Sequence, residues 1–200
     1  MSFSVAITGG IACGKSLFAQ HLKDLGLELL DADDVVHDLQ APGGEAVELI
    51  RVKFGAHVIA PDGRVDRQAL GELVFRDPKA REALNQIVHP LVLQKIKGWL
   101  AKPSENGLKA VVIPLLFEVG WENEWDLIIC VTSDTQTQMD RLTRFRGLSA
   151  EQARQRLDSQ MPIAEKAARA HLTVNNNAGE EELASEAKRI YRLLMEKIRV

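Results

Sequence analysis

Eight consecutive residues near the start of the chain, Gly9-Gly10-Ile11-Ala12-Cys13-Gly14-Lys15-Ser16, place glycines, a lysine and a hydroxyl at the spacing G-x-x-x-x-G-K-[ST]. Glycine lets the backbone turn so that successive N–H groups face an anion, and a helix that follows adds its positive end. Lys15 is then placed to bridge β- and γ-phosphates, and the Ser16 hydroxyl to take a position on Mg²⁺. Gly10, Ile11, Ala12, Cys13, Gly14, Lys15, Ser16 and Leu17 are thus the expected triphosphate cradle, with Ser16 as the metal ligand. A second chemical group is Asp31-Ala32-Asp33-Asp34, after the short apolar stretch 27–30. Asp33 is a candidate general base; a helix N-cap is the plainer role for the same residue. The third is Arg141, Arg144, Arg146, Arg154 and Arg156, five arginines within sixteen residues. They ask for an anionic partner or for solvent.

These groups need a scaffold. Residues 3–7 are an apolar run read as a strand, and 17–25 carry Phe18, Leu22 and Leu25 on one helical face, so the loop stands between strand and helix, where a phosphate cradle belongs. Residues 27–30 form a second short strand, and acidic residues at its carboxyl end lie where open α/β sheets place ligands. Helical patterns follow without strands: 45–54; 66–75, capped by Asp66; and one from Pro78 onward that Pro90 is expected to interrupt. Strands are expected at 110–116, 126–132 and 172–174. A helix is expected at 135–146, and Ser149 with Gln152 fits a capping box that opens another helix carrying Ala153, Leu157 and Met161. Leu183, Ala187, Ile190, Leu194 and Ile198 mark a closing amphipathic helix. The expected fold class is therefore α/β: a five-stranded parallel sheet flanked by helices, like that of P-loop NTPases, with a helical insertion and a small helical lid. The expected boundaries are 1–35, 100–135 and 168–200 for the nucleotide-binding core, 36–99 for the acceptor-binding insertion and 136–167 for the lid.

Composition narrows the class. With 46% hydrophobic and 26% charged residues this is ordinary globular material, and no run approaches the roughly 18 apolar residues of a membrane span. A formal net charge of −3 speaks against a nucleic-acid binder. No basic, cleavable leader precedes the first strand, so a cytoplasmic protein is expected, and a monomer. Cys13 and Cys130 lie far apart; a position near a helix N-terminus is expected to lower the Cys13 pKa. No Asn-Lys-x-Asp is present to read guanine, which leaves a small-molecule kinase or a nucleotide-dependent switch. A kinase needs a nucleotide site, an acceptor pocket, a base and a lid that excludes water.

The order of landmarks resembles the dephospho-coenzyme A kinase family: Thr8-Gly9-Gly10 with Gly14-Lys15-Ser16; Asp31-Ala32-Asp33; Gly63-Arg64-Val65-Asp66-Arg67; Val88-His89-Pro90; Pro114-Leu115-Leu116-Phe117-Glu118; Arg141-Leu142 with Arg144; Ser159-Gln160-Met161; and the asparagine turn 175–177. That resemblance implies transfer of the γ-phosphate of ATP to the ribose 3′-hydroxyl of dephospho-coenzyme A, with ATP as co-substrate and Mg²⁺ as cofactor. It implies catalytic roles for Asp33, Lys15 and Arg144, nucleotide contacts by Arg141 and Asn176, and acceptor contacts by Asp33, Arg67 and His89; His37, four residues after Asp33 on the same helical face, and Glu118 at the end of the third strand are the further acceptor candidates. The residues themselves leave Glu118 open between anchoring a loop and touching the acceptor, and leave His89 open between a ligand role and shaping a kinked helix. Ala12-Cys13 stand where the family commonly has glycine and serine, Val112 where many relatives have an aspartate, and His171 where an aspartate often precedes the last strand. Another phosphate-loop kinase is the alternative.

Overall fold

The most apolar stretches become the centre of the sheet. β1 (Phe3–Gly9) lies between β3 (Leu108–Val112) and β4 (Leu127–Thr132), and β2 (Glu28–Asp31) and β5 (Leu172–Asn175) complete the order β2-β3-β1-β4-β5 in a computed structural model that describes residues 3–198. β1 runs parallel to both neighbours, with Ile7 opposite Val112 on one side and Ile129 on the other. Successive side chains of a strand point to opposite faces. Val5 and Ile7 join Ala110, Ile129 and Val131 in a core sealed by Phe18 and Leu22 of α1 (Lys15–Asp24) and by Leu183, Ala187, Ile190 and Leu194 of α9 (Glu180–Lys197). α8 (Ile163–Arg169) packs on β4 and β1. Burial on both faces explains why 127–131 read as an unbroken apolar run.

The chain folds as two compact units, one built from the chain up to Leu30 and from Pro103 onward, the other from Asp31–Lys102. The second unit holds α2 (Ala32–Gln40), α3 (Glu45–Phe54), α4 (Arg67–Arg76) and α5 (Pro78–Leu100), with the short 3-10 turn Ala56–Val58. α5 is the helix the other three pack on. Its onset at Asp31 takes in Asp33, which the expected boundary at 36 left with the core, and segment 136–167 belongs to the first unit. Among the described residues no helix is long and apolar enough to cross a membrane.

Local chemistry sets the helix ends. The Asp31 carboxylate accepts from the Asp33 N–H, so Asp31 caps α2 and Asp33 lies within its first turn. Asp66 caps α4 by accepting from the N–H groups of Gln68 and Ala69. Ser149 and Gln152 form the expected capping box of α7 (Ala150–Asp158).

Four elements differ from the sequence reading. β3 stops at Val112, short of 116, because Pro114 has no N–H for a ladder, and a turn runs on from there. α5 passes through Pro90 without a break; Pro90 is exposed, where water can serve the carbonyl one turn back. α7 ends at Asp158, so Met161 lies beyond it. α8 was not anticipated, because its buried position is held by Lys166, which hides the apolar period.

Candidate active site

The carbonyls of the loop after β1 are held by side chains. Lys15 Nζ donates to the carbonyls of Gly9 (3.0 Å) and Gly10 (2.8 Å), and Gln138 Nε2 to that of Ile11 (2.7 Å). Arg141 Nη1 takes the carbonyl of Ala12 (3.2 Å) and Asn176 Nδ2 that of Cys13 (2.9 Å). Five successive carbonyls thus have side-chain donors; of the loop N–H groups, that of Ile11 donates to Gln160 Oε1 (3.0 Å) and that of Cys13 to the Gly10 carbonyl (3.3 Å), and the start of α1 supplies the anion-binding end of a helix. Glycine is obligatory at two points. At Gly9 (φ 149°) a Cβ would lie 2.2 Å from the Val131 carbonyl oxygen, and at Gly14 (φ 87°) 2.2 Å from Asn176 Nδ2. Ala12 also stands in the left-handed region, with φ 58°, the one described non-glycine residue that does. The Ala12 side chain therefore carries a backbone cost of about 1 kcal/mol that glycine would avoid.

A cavity of about 580 Å³ opens on this loop, lined by Lys15, Ser16, Leu17, Arg141, Phe145, Arg146, Asn176 and neighbours. The guanidinium of Arg141 is fixed by Ala12, the Ser133 hydroxyl (3.0 Å) and the Asn176 carbonyl (2.8 Å). Asn176 is 4% exposed and its side-chain amide is spent on the loop. On α6 (Thr135–Arg146) the residues that share the cavity with Arg141 are Phe145 and Arg146; Arg144 is exposed and outside its lining. Cys13 is fully buried, and burial pushes its thiol pKa up against the lowering influence of Lys15, the reverse of the expected effect. Burial, aided by Cys13, pushes Cys130 up to about 12.

In the second unit, His37 and Arg67 come together in a cavity of about 550 Å³ that also includes Gln40, Arg64 and Asp66. Arg67 Nε donates to Gln40 Oε1 (3.0 Å), which ties α4 to α2. Asp33 is exposed on the first turn of α2, and His89 is partly buried on α5; neither lines that cavity. Burial holds the His89 pKa below the ordinary histidine value, partly offset by Glu82.

Glu118 ties two segments together. Its Oε1 accepts from Lys166 Nζ at 2.7 Å and from the Met161 N–H at 3.1 Å. Lys166, 0% exposed, also donates to the Pro114 carbonyl (2.9 Å), which receives the Thr8 hydroxyl as well. Gln138, Gln160 and Lys166 escaped the sequence reading; only Gln160, inside the quoted Ser159-Gln160-Met161, carried any signal.

The chain's likeness to known proteins agrees with this arrangement. A family model described as dephospho-CoA kinase matches residues 3–182. A dephospho-CoA kinase of Symbiobacterium thermophilum is 40% identical over 190 residues, covering 94% of this chain and 80% of the relative. Among solved structures, a Thermus thermophilus protein superposes with a TM-score of 0.83 at 33% identity, covering 96% of this chain and 98% of that one. Dephospho-CoA kinase from Campylobacter jejuni gives 0.65 at 27% identity, covering 96% of each chain.

Proposed function

The chain belongs to the dephospho-coenzyme A kinase family, whose reaction is the ATP-dependent phosphorylation of dephospho-coenzyme A, and we propose that it places the phosphate on the ribose 3′-hydroxyl with the following division of labour. The observation that supports the reading is the loop itself: the carbonyls of Ile11, Ala12 and Cys13 are held by Gln138, Arg141 and Asn176 from outside the loop, which suits the start of α1 to a triphosphate. Lys15 leaves its carbonyl partners for the β- and γ-phosphates and stabilises charge on the group in flight. Arg141 holds loop and asparagine turn in register at the nucleotide cavity.

Ser16 lines that cavity at the start of α1, so its hydroxyl suits one position on Mg²⁺, the remaining ligands coming from phosphate and water. Bound there, the ion would neutralise developing phosphate charge. Val112 is 2% exposed in the sheet core and supplies no acidic helper.

The second unit holds the acceptor. His37 and Arg67 share one cavity with Arg64, Asp62 and Asp66, a surface of donors and acceptors in which Arg64 is paired with Asp62 (3.4 Å) and which suits a polar, phosphorylated nucleotide derivative. Asp33, whose backbone is fixed by the Asp31 cap and whose side chain is exposed, orients the 3′-hydroxyl and takes its proton. Arg144 acts when both substrates are present. The protein is read as a cytoplasmic monomer. Incubation with ATP, Mg²⁺ and dephospho-coenzyme A, followed by mass spectrometry, should show gain of one phosphoryl group on the 3′-oxygen; equal or better transfer to nucleosides or sugars would replace the acceptor assignment.

A further inference from the structure

Ile11 is held at both its backbone polar groups by side chains from outside the loop. Its N–H donates to Gln160 Oε1 at 3.0 Å and its carbonyl accepts from Gln138 Nε2 at 2.7 Å, from partners 149 and 127 residues away. Gln138 is 3% exposed on α6, and a Cβ on Gly10 would lie 2.7 Å from its Nε2, so the amide sits directly against the loop. Gln160 lies in the short link between α7 and α8. The next residue, Met161, is pinned through its N–H to Glu118, which is paired with the buried Lys166. Gln138 is thus fixed by burial and Gln160 by its tethered neighbour.

What they hold is a strained step. Ala12 follows Ile11 directly and sits at φ 58°, a conformation its Cβ disfavours. A loop released at Ile11 is free to relax at Ala12 toward negative φ and to turn N–H groups away from the cavity. We propose that Gln138 and Gln160 are positioning residues of the phosphate loop: together they clamp Ile11, keep Ala12 left-handed, and so present the loop N–H groups to a triphosphate before the nucleotide arrives. The inference rests on the phosphate-loop part of the reading above and is independent of the acceptor, because its readout is ATP binding.

The test is a double-mutant cycle on the full-length protein. Gln160→Met keeps the length of the side chain and removes the acceptor. Calorimetric titration with ATP–Mg²⁺ should show affinity weakened on the order of tenfold, the worth of one hydrogen bond to a partly buried N–H. Ala12→Gly makes the left-handed step easy without the clamp, so the same Gln160→Met change in the Ala12→Gly background should cost at most about a third of that factor. Losses of equal size in the two backgrounds would mean that Gln160 only packs the α7–α8 link, and unchanged affinity in a folded Gln160→Met protein would overturn the clamp. If Gln160→Met does not fold, Gln138→Met run through the same cycle decides by the same criteria. Failure of phosphoryl transfer to dephospho-coenzyme A with the cycle as expected would strike the acceptor reading alone.

Discussion

The ammonium of Lys166 lies 2.7 Å from Glu118 Oε1 and is fully buried, while the Glu118 side chain keeps 22% of its surface exposed. The asymmetry dictates which partner is the more dangerous to remove. Glu118→Gln leaves a buried cation with neutral acceptors, a situation that costs about 3 kcal/mol or more, whereas Lys166→Met leaves a carboxylate that water can reach. Urea unfolding should therefore rank Glu118→Gln below Lys166→Met in stability, with the double variant regaining part of the loss. The opposite ranking would show that the Pro114 carbonyl, and not Glu118, is the main partner of Lys166.

Lys15→Ala should lower phosphoryl transfer by at least ~10²-fold, the size of a lost transition-state charge contact, with the far-ultraviolet circular dichroism unchanged. The expectation of an intact fold follows from its position: Lys15 opens α1 beside the cavity, and the core beneath is made by Phe18 and Leu22. Near-normal turnover by the folded variant would remove Lys15 from the chemistry.

Arg144 and Arg146 separate by their surroundings. Arg146 lines the cavity on the phosphate loop and Arg144 does not, so Arg146→Ala should weaken ATP binding measured by calorimetry, and Arg144→Ala should leave it within about twofold. If Arg144 reaches phosphate only in the closed ternary complex, its loss appears in the single-turnover rate. Equal effects of the two substitutions on ATP affinity would make Arg144 a ground-state contact.

Both thiols should be slow to alkylate in the native protein at pH 8 and quick once urea unfolds it. The sign follows from burial: Cys13 is raised, and Cys130 is raised from 9.0 to about 12, so the folded state resists thiolate formation. The thiols' contribution to stability is accordingly full below pH 9.0 and declines as pH climbs from there toward 12, because only the unfolded chain ionises freely. Rapid native-state alkylation of Cys13 would show that the loop opens far more readily than its hydrogen bonds indicate.

The phosphate loop and the central strands were legible because their signals are local: a fixed spacing of glycine, lysine and serine, and unbroken apolar runs in strands covered on both faces. The capping box at Ser149 was legible for the same reason. What holds the loop was not. Gln138 and Gln160 act on Ile11 across 127 and 149 residues, and a glutamine on a helix or in a link looks like any solvated polar residue. Lys166 occupies the position where the helical period calls for an apolar side chain, so α8 went unseen. Asn176 was singled out as a nucleotide contact, and its amide also supports the Cys13 carbonyl, a role that only the folded turn reveals.

Asp33 carries the heaviest chemical assignment and is the most sharply testable. The helix cap that was its plainer reading is supplied by Asp31, whose carboxylate accepts the Asp33 N–H at 2.9 Å. An Asp33→Asn substitution therefore leaves the cap of α2 in place, and removes an exposed carboxylate whose structural contribution is the small one of an acidic residue in a first helical turn. Stability in urea should change by less than about 0.5 kcal/mol, as for an ordinary surface site. If Asp33 is the base, kcat should fall by ~10² to 10⁴-fold, and added Mg²⁺ should not restore it. If it only organises metal-bound water, high Mg²⁺ should recover most of the rate. Single-turnover transfer to the 3′-hydroxyl, followed against pH at several Mg²⁺ concentrations, separates the two: a base role removes the acidic limb of the wild-type profile in Asp33→Asn where chemistry limits that limb. Near-wild-type turnover at saturating Mg²⁺ would take the proton transfer away from Asp33 and leave it an organiser of the metal.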